Sequence, residues 1–158
     1  MEAPGTSSVK AAPLLQLLMR TGIDVAEVWP VARDILARAP IVGPDMMTLD
    51  QAYLELLATK MQLWMLNDEE RFLGAMLTDL WLPENSQEKL LRLRWLAGEK
   101  MAEFLPLLEA VERWGVSQGA TWASALEARV GFERVLRPLG YSSKVITLYK
   151  KLGKPTEH

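Results

Sequence analysis

Three consecutive strand-like segments between residues 61 and 96 constrain the fold more than any other feature of the sequence. Residues 61–66 form a nearly continuous apolar run, as expected for a strand covered on both faces. Residues 71–81 follow after a polar turn, and residues 90–96 alternate between apolar and basic side chains from Leu91 onward. The three segments predict an antiparallel hairpin extended by a third strand.

Two helices are predicted before these strands, after an apolar run at 14–19 whose period does not separate strand from helix. Asp24 is placed to cap the first helix, and Pro30 should bend it or shift its start. Thr48 and Gln51 have the spacing of a capping box for the second, which ends near Lys60. The expected buried stripes are Val25, Val28, Trp29, Ala32, Ile35 and Leu36 in the first helix, and Leu49, Tyr53, Leu56 and Leu57 in the second.

A long helix is predicted after the strands, starting just after Gly98, kinked at Pro106 and closed by Gly119. Residues 120–126 fit a fourth main strand, residues 131–139 a short helix that ends at Gly140, and residues 141–152 a last strand. Residues 1–9 are predicted to form a flexible N-terminal arm, 10–152 a single domain and 153–158 a C-terminal tail. The long helix would bury Met101, Phe104, Leu105, Leu108, Val111 and Trp114.

Composition excludes several function classes. The chain has no cysteine and one histidine, His158, so thiolate chemistry, a histidine-based dyad and a His-rich metal site are all ruled out, and we predict no metal site. A net charge of −2 argues against nucleic acid as a general partner, and the basic excess in the last third fits a solvated face, with phosphate, DNA or an acidic partner as alternatives. No run approaches the roughly 18 apolar residues of a membrane span, and the N-terminus does not resemble a signal peptide.

The order of helices and strands, with two local segments, resembles the GNAT (N-acetyltransferase) family. Residues 129–141 resemble the family's last-helix segment, in which a glycine is followed by an aromatic residue, here Gly140 and Tyr141. Residues 112–120 resemble the end of its long helix, and the pattern around Trp29, Trp64, Trp114 and Tyr141 is similar to a GNAT-like group common in bacteriophage genomes. The resemblance covers residues 24–152 and implies an α+β fold with a central, mostly antiparallel mixed sheet flanked by helices.

The same resemblance implies a site for acetyl-CoA, much of whose motif is missing. Active members carry Arg/Gln-x-x-Gly-x-Gly/Ala between the third strand and the long helix, and its amides hold the pyrophosphate. Here Gly98 matches, but Trp95 stands where Arg or Gln is expected and Lys100 where the second small residue is expected. Glu99 would repel a bound pyrophosphate, although Lys100 offsets it. If acetyl-CoA binds, the candidate binding residues are Leu96, Gly98, Lys100 and Met101.

The family's proton donor is also missing. It is commonly a tyrosine four residues before the helix-ending glycine, and counting back from Gly140 gives Leu136, which has no proton to donate. Tyr141 is expected to pack, and Tyr149 to lie on the last strand. Asp79, Glu99 and Glu127 are candidates for a general base by position alone, and nothing selects one of them. We therefore assign no catalytic residue.

These departures lead us to expect a non-catalytic GNAT-fold protein without a cofactor, phage-encoded and acting in the virion or the host cytoplasm as a structural or host-interaction component. It would bind protein partners and form a homo-oligomer. The alternative is an acetyl-CoA-dependent N-acetyltransferase with a divergent pyrophosphate loop. Exposure of Trp64, Trp81 or Trp122 would favour protein interaction. An open cleft between the third and fourth main strands would favour acetyl-CoA, whereas a cleft filled by Trp95 or Trp122 would favour a structural role.

Overall fold

The computed structural model describes residues 15–39, 47–99, 105–125, 136–142, 150 and 152. The predicted arm and tail, and most of the last strand, lie outside these residues. The strands are β1 (Gln16–Arg20), β2 (Met61–Asn67), β3 (Phe72–Trp81), β4 (Lys89–Gly98) and β5 (Ala120–Ala125). The helices are α1 (Asp24–Ala37), α2 (Leu49–Leu57) and α3 (Leu108–Ser117), with short 3₁₀ turns at Leu105–Leu107 and Arg137–Leu139.

The five strands form one mixed sheet in the order β1-β2-β3-β4-β5. The first four pair antiparallel with their chain neighbours, whereas β5 lies parallel to β4 after the connection through α3. This arrangement confirms the predicted α+β class and the predicted order of elements within the described residues.

Helix α1 buries the whole predicted stripe, from Val25 to Leu36. Its capping differs from the prediction. Ile23 occupies the N-cap position without a side-chain cap bond, and Asp24 is the first helical residue. The carboxylate of Asp24 therefore favours the helix through its charge near the positive end of the dipole. Pro30 lies inside α1 and does not shift its start.

Helix α2 begins with the predicted capping box. The Gln51 amide donates to Thr48 Oγ1 at 3.1 Å, and the Thr48 amide donates to Gln51 Oε1 at 2.9 Å. The predicted burial of Leu57 is wrong, because its side chain is exposed while Ala52 and Leu56 are buried. Residues 52 and 56 lie four apart on one line of the helix, and residue 57 is turned about 100° away from that line.

The sheet separates two apolar cores. On the first face, called here the α1 face, α1 and α2 pack on alternate residues of β2 and β3, and Trp29 stacks on Tyr53 at 5.0 Å. On the opposite α3 face, α3 packs on β4 and β5, and Trp64 meets Trp114 edge-on at 5.5 Å. Six consecutive residues of β2 are buried between the two layers, which confirms the strand predicted to be covered on both faces.

The helix after β4 is described from Leu108 onward. Pro106 lies in the 3₁₀ turn that precedes it, so the expected irregularity is found at the entrance of the described helix. The helix ends at Ser117, two residues before the predicted Gly119. No helix in the described part of the chain combines the length and the apolar character needed to cross a bilayer.

Candidate functional site

The predicted cofactor residues divide between the end of β4 and residues outside the description. Leu96 is half-buried and packs on the α3 face, and Gly98 is the last residue of β4. Lys100 and Met101 lie outside the described residues. The described half of the site therefore consists of the end of β4 and Glu99.

Gly98 is required by the packing of two strands. It pairs with Gly74 of β3, and a Cβ atom on Gly98 would lie 2.5 Å from the Gly74 Cα and 2.5 Å from the Leu73 carbonyl oxygen. Its φ of +152° also disfavours side chains. The glycine has a structural reason to be present whether or not a phosphate binds beside it.

The backbone donors at this end of β4 point in two directions. The Glu99 amide donates to the Leu73 carbonyl at 2.8 Å, so it belongs to the ladder with β3. Antiparallel pairs alternate between hydrogen-bonded and non-hydrogen-bonded, which places Ala97 in the next bonded pair. The amides of Leu96 and Gly98 therefore point away from β3, toward the side of β5.

On that side β5 is described as far as Ala125. The pairing runs from Lys89 opposite Ala120 to Leu93 opposite Ala125. No described residue pairs with the outer edge of residues 94–98, which we call the free edge. The Leu96 and Gly98 amides lie along it, so within the described residues these two donors are not used by a neighbouring strand.

A bulge in β4 lies next to the last described pair between β4 and β5. Leu77 pairs with Trp95, but the next residue of β3, Thr78, pairs with Leu93, so Arg94 is an extra residue without a partner in β3. Bulges re-aim side chains and are common next to functional sites. As a result Trp95 faces the α1 core, and its indole Nε1 donates to the Leu36 and Ala39 carbonyls rather than filling the cleft.

The charge of Glu99 is offset by two arginines. Its carboxylate lies 3.1 Å from Arg71 Nη2 and 3.9 Å from Arg38 Nη1. The expectation that Glu99 would repel a pyrophosphate set only Lys100 against it, and these two ion pairs weaken that expectation further. The two arginines come from the residue after α1 and the residue before β3, and both reach Glu99 at the end of β4.

Asp79, one of the candidate bases, is already engaged. Arg92 donates to it through Nε and Nη2, each at 2.7 Å, and Arg94 donates through Nη1 at 2.8 Å. The carboxylate is buried and its bonds are charge-assisted, so it is arranged to hold the arginines. Of the other candidates, Glu99 is ion-paired as above, and Glu127 lies outside the described residues.

Leu136 stands where the family's proton donor is expected, and Tyr141 directly follows the helix-ending Gly140. Leu136 is buried in the α3 core, and Gly140 follows it in the left-handed conformation at φ +95°. The Tyr141 hydroxyl donates to Glu112 Oε2 on α3 at 3.1 Å. Burial, and then the negative charge and hydrogen bond of Glu112, raise the pKa of Tyr141 well above its ordinary value. Tyr141 therefore fastens this segment to α3 and is a poor acid. Tyr149 lies outside the described residues.

Replacing Tyr141 by phenylalanine is expected to lower the free energy of unfolding by about 0.5–1.5 kcal/mol near neutral pH, because one hydrogen bond is lost. The folded-state pKa of Tyr141 is raised, so the stability contributed by the protonated phenol is present below pH of about 10 and is lost as pH rises toward the folded-state value. Urea unfolding at about pH 8 and about pH 11 should show a smaller alkaline loss in Tyr141→Phe than in the wild type. Tyr53→Phe, on the opposite face of the sheet, is the control. Equal alkaline losses in wild type and Tyr141→Phe would contradict the assignment.

Two of the tryptophans singled out from the sequence reach the surface. Trp64 is buried, and its indole donates to Thr78 Oγ1 at 2.9 Å. Trp81 is 45% exposed and Trp122 is 54% exposed. The Trp122 indole donates to Glu88 Oε2 at 2.6 Å. The cleft expected between β4 and β5 would involve residues outside the described part of the chain, so that expectation remains a prediction.

The architecture is similar to that of several acetyltransferases of known structure. The aminoglycoside N-acetyltransferase AAC(6')-Iy in complex with CoA matches with a TM-score of 0.65 and 15% identity, over 90% of this chain and 98% of that one. The aminoglycoside acetyltransferase HMB0005 from an uncultured soil metagenomic sample matches with a TM-score of 0.66 and 14% identity, over 89% and 99%. The enzyme meta-AAC0020, also from an uncultured soil sample and in complex with sisomicin, matches with a TM-score of 0.63 and 14% identity, over 88% and 97%.

The chain has the GNAT fold. No protein-family model matches the sequence, and no curated protein matches it. The GNAT fold was predicted from the order of elements and two short segments, and that prediction is confirmed. The cofactor site placed at the end of β4 remains a prediction, and nothing in the sequence indicated the cluster of Arg92, Arg94 and Ser124, because the bulge beside them has no sequence signature.

Proposed function

We propose that this chain is an acetyl-CoA-dependent N-acetyltransferase with a divergent pyrophosphate loop. The observation that carries the proposal is the free edge of β4, where the Leu96 and Gly98 amides point away from β3 and are paired with no described strand. Backbone amides hold an anionic or amide-containing ligand regardless of the neighbouring side chains. A site of this kind survives the loss of the motif's arginine or glutamine.

The described residues fit the acetyl donor. The outward amides of Leu96 and Gly98 would bind along the free edge, and the pairing of Glu99 with Arg71 and Arg38 removes the main electrostatic objection to a nearby pyrophosphate. Lys100 and Met101 remain candidates for the turn itself. Bound acetyl-CoA would supply an activated acetyl group in a thioester.

The chain's own contribution would be binding and orientation. Leu136 has no proton to donate, and the Tyr141 hydroxyl is committed to Glu112, so neither acts as an acid at the free edge. Asp79 is held by two arginines. Positioning two reactants in the correct geometry is by itself worth several kcal/mol, which is sufficient for a transferase that leaves proton transfer to solvent.

The comparisons favour this function over the structural role that the sequence led us to expect. The similar structures are acetyltransferases, and AAC(6')-Iy is in complex with CoA, which favours the acetyl-CoA alternative over the expectation of no cofactor. None of the comparisons supports a phage or virion role. Association with protein partners and homo-oligomer formation remain predictions.

The test is calorimetric titration of the wild type and two Leu96 variants with acetyl-CoA. The wild type is expected to bind with a micromolar Kd. Leu96→Pro removes the outward N–H, which proline tolerates on a free strand edge, and should weaken binding about three- to tenfold, as expected for one hydrogen bond. Leu96→Ala removes the side chain but keeps the amide, and should bind within about twofold of the wild type.

Circular dichroism melting establishes that both variants are folded before binding is compared. Absence of binding by the folded wild type at millimolar acetyl-CoA would refute the proposal and favour the non-catalytic hypothesis. Equal weakening in Leu96→Ala and Leu96→Pro would show that the amide is not what holds the ligand.

A further inference from the structure

Part of the α1 face carries polar and aromatic side chains that belong to neither of the two described apolar cores. Two cross-strand rows lie there, Trp81 beside Leu90 beside Trp122, and Asp79 beside Arg92 beside Ser124. The bulge adds Arg94 to the second row, since it reaches Asp79 on the same face. We call this surface the arginine–tryptophan patch, defined by Trp81, Leu90, Arg92, Arg94, Trp122 and Ser124.

The second row of the patch, together with Arg94, has an excess of positive charge. Two guanidinium groups share the single carboxylate of Asp79, and their side chains are only 20% and 16% exposed. Solvent screens them weakly, so the uncompensated charge is available to an anion. Glu88 lies at the rim, where it is exposed and accepts the Trp122 indole N–H.

Two polar atoms of the patch are buried without a hydrogen-bond partner among the described residues, Arg94 Nε and Ser124 Oγ. A buried polar group without a partner costs about 1–3 kcal/mol. Both atoms can donate a hydrogen bond, and an arginine matches the two oxygens of a carboxylate. A carboxylate on the ligand would therefore supply what this part of the patch lacks.

The first row of the patch, Trp81 beside Leu90 beside Trp122, fits a flat apolar group. Trp81 and Trp122 are about half exposed, on either side of Leu90. The Arg92 guanidinium lies 4.9 Å from the centre of the Trp81 ring, and the bond to Glu88 fixes the Trp122 ring. Ordered, exposed tryptophans are favourable stacking surfaces for planar ligands.

Arg94 is the bulge residue of β4 and also the first residue of β4 beyond the described pairing with β5. The patch therefore lies at the start of the free edge. Building on the proposed acetyltransferase function, we infer that the acceptor is an amine that also carries a carboxylate and a flat apolar group, as in an aromatic α-amino acid. A polycationic aminoglycoside would meet like charge at the patch.

Acetyl transfer to the amine of an aromatic α-amino acid forms a C–N bond and breaks the thioester C–S bond, and the proton that the amine loses balances the proton that the departing thiolate gains.

Three small ligands with one phenyl ring separate these contributions. L-Phenylalanine carries an amine and a carboxylate, 3-phenylpropionate only the carboxylate, and phenethylamine only the amine. Binding is followed by tryptophan fluorescence and by the NMR shift of the Trp122 indole N–H, without acetyl-CoA. Both carboxylates are expected to bind at least about tenfold more tightly than phenethylamine, the size expected for one charge-assisted hydrogen bond.

Arg94→Gln should weaken the two carboxylates about tenfold and leave phenethylamine unchanged, whereas Trp122→Leu should weaken all three. Arg113→Gln, at an exposed ion pair on α3, is the control and should change none of the three binding affinities.

Preferential acetylation of L-phenylalanine over phenethylamine would extend the result to activity. Equal binding of carboxylate and amine ligands, in a protein that binds acetyl-CoA, would overturn this inference and leave the proposed function standing. Selective carboxylate binding without acetyl-CoA binding would refute the function alone and leave the patch as a carboxylate site.

Discussion

Replacing Asp79 by alanine is expected to lower the free energy of unfolding by about 3–5 kcal/mol, because it leaves two largely buried guanidinium groups without their shared carboxylate. The three hydrogen bonds to Asp79 measure 2.7–2.8 Å, and its residue exposure is 7%. Removing one partner of a buried ion pair costs more than the pair itself contributes, since the remaining charges stay desolvated. A loss of this size is a large share of a typical domain's stability.

Equilibrium urea unfolding of Asp79→Ala and Asp79→Asn measures the effect, and the asparagine variant separates loss of charge from loss of volume. The matched control is Glu109→Ala, which breaks the Glu109–Arg113 pair at 4.0 Å on the surface of α3. Its side chains are 78% and 69% exposed, so its loss should stay within about 0.5 kcal/mol. An Asp79→Ala loss no larger than that of the control would mean that the cluster is solvated and energetically unimportant.

Replacing Gly98 by alanine is expected to destabilise the protein by about 3–5 kcal/mol, combining backbone strain with overpacking. The new Cβ would lie 2.5 Å from the Gly74 Cα and 2.5 Å from the Leu73 carbonyl oxygen, and neither backbone atom can move without separating β3 from β4. The φ of +152° adds a conformational cost for any residue with a side chain.

Gly140→Ala is the control for the conformational cost alone. Gly140 has φ +95°, and a Cβ at this position would have no described atom within 4 Å, so its substitution should cost about 1 kcal/mol. Chemical denaturation of both variants gives the difference. If both lose the same amount, the close approach of β3 and β4 is not what requires Gly98, and a ligand-binding reason for the glycine regains weight.

Local features of the fold could be predicted because the residues that decide them are near neighbours in the chain. The Thr48–Gln51 capping box spans three residues, and the α1 stripe follows from helical periodicity. The errors at Asp24 and Leu57 arose at helix ends, where the surrounding chain decides the cap and the last buried turn.

The candidate site was predicted only in part. The sequence pointed to Leu96 and Gly98 at the end of β4. It interpreted Gly98 as a remnant of a phosphate motif or a simple strand end, and Glu99 as a charge that Lys100 could offset. The two contacts that change those interpretations, with Gly74 and with Arg71, join residues that are 24 and 28 positions apart in the chain. Such pairs become visible only when the strand register is known.

The sequence by itself determined α1, α2, β2, β3, β4 and β5 and their order, because periodicity, caps and turns depend on neighbouring residues. It did not show that residues 16–20 form a strand, which their pairing with β2 decides. The tertiary structure alone decided which face of β4 each arginine occupies. Strict alternation would place Arg92 and Arg94 opposite Trp95, yet the bulge puts Arg92 and Trp95 on one face and brings both arginines to Asp79. A bulge is set by how two strands and the layers covering them fit together, and that fit depends on contacts between segments far apart in the chain.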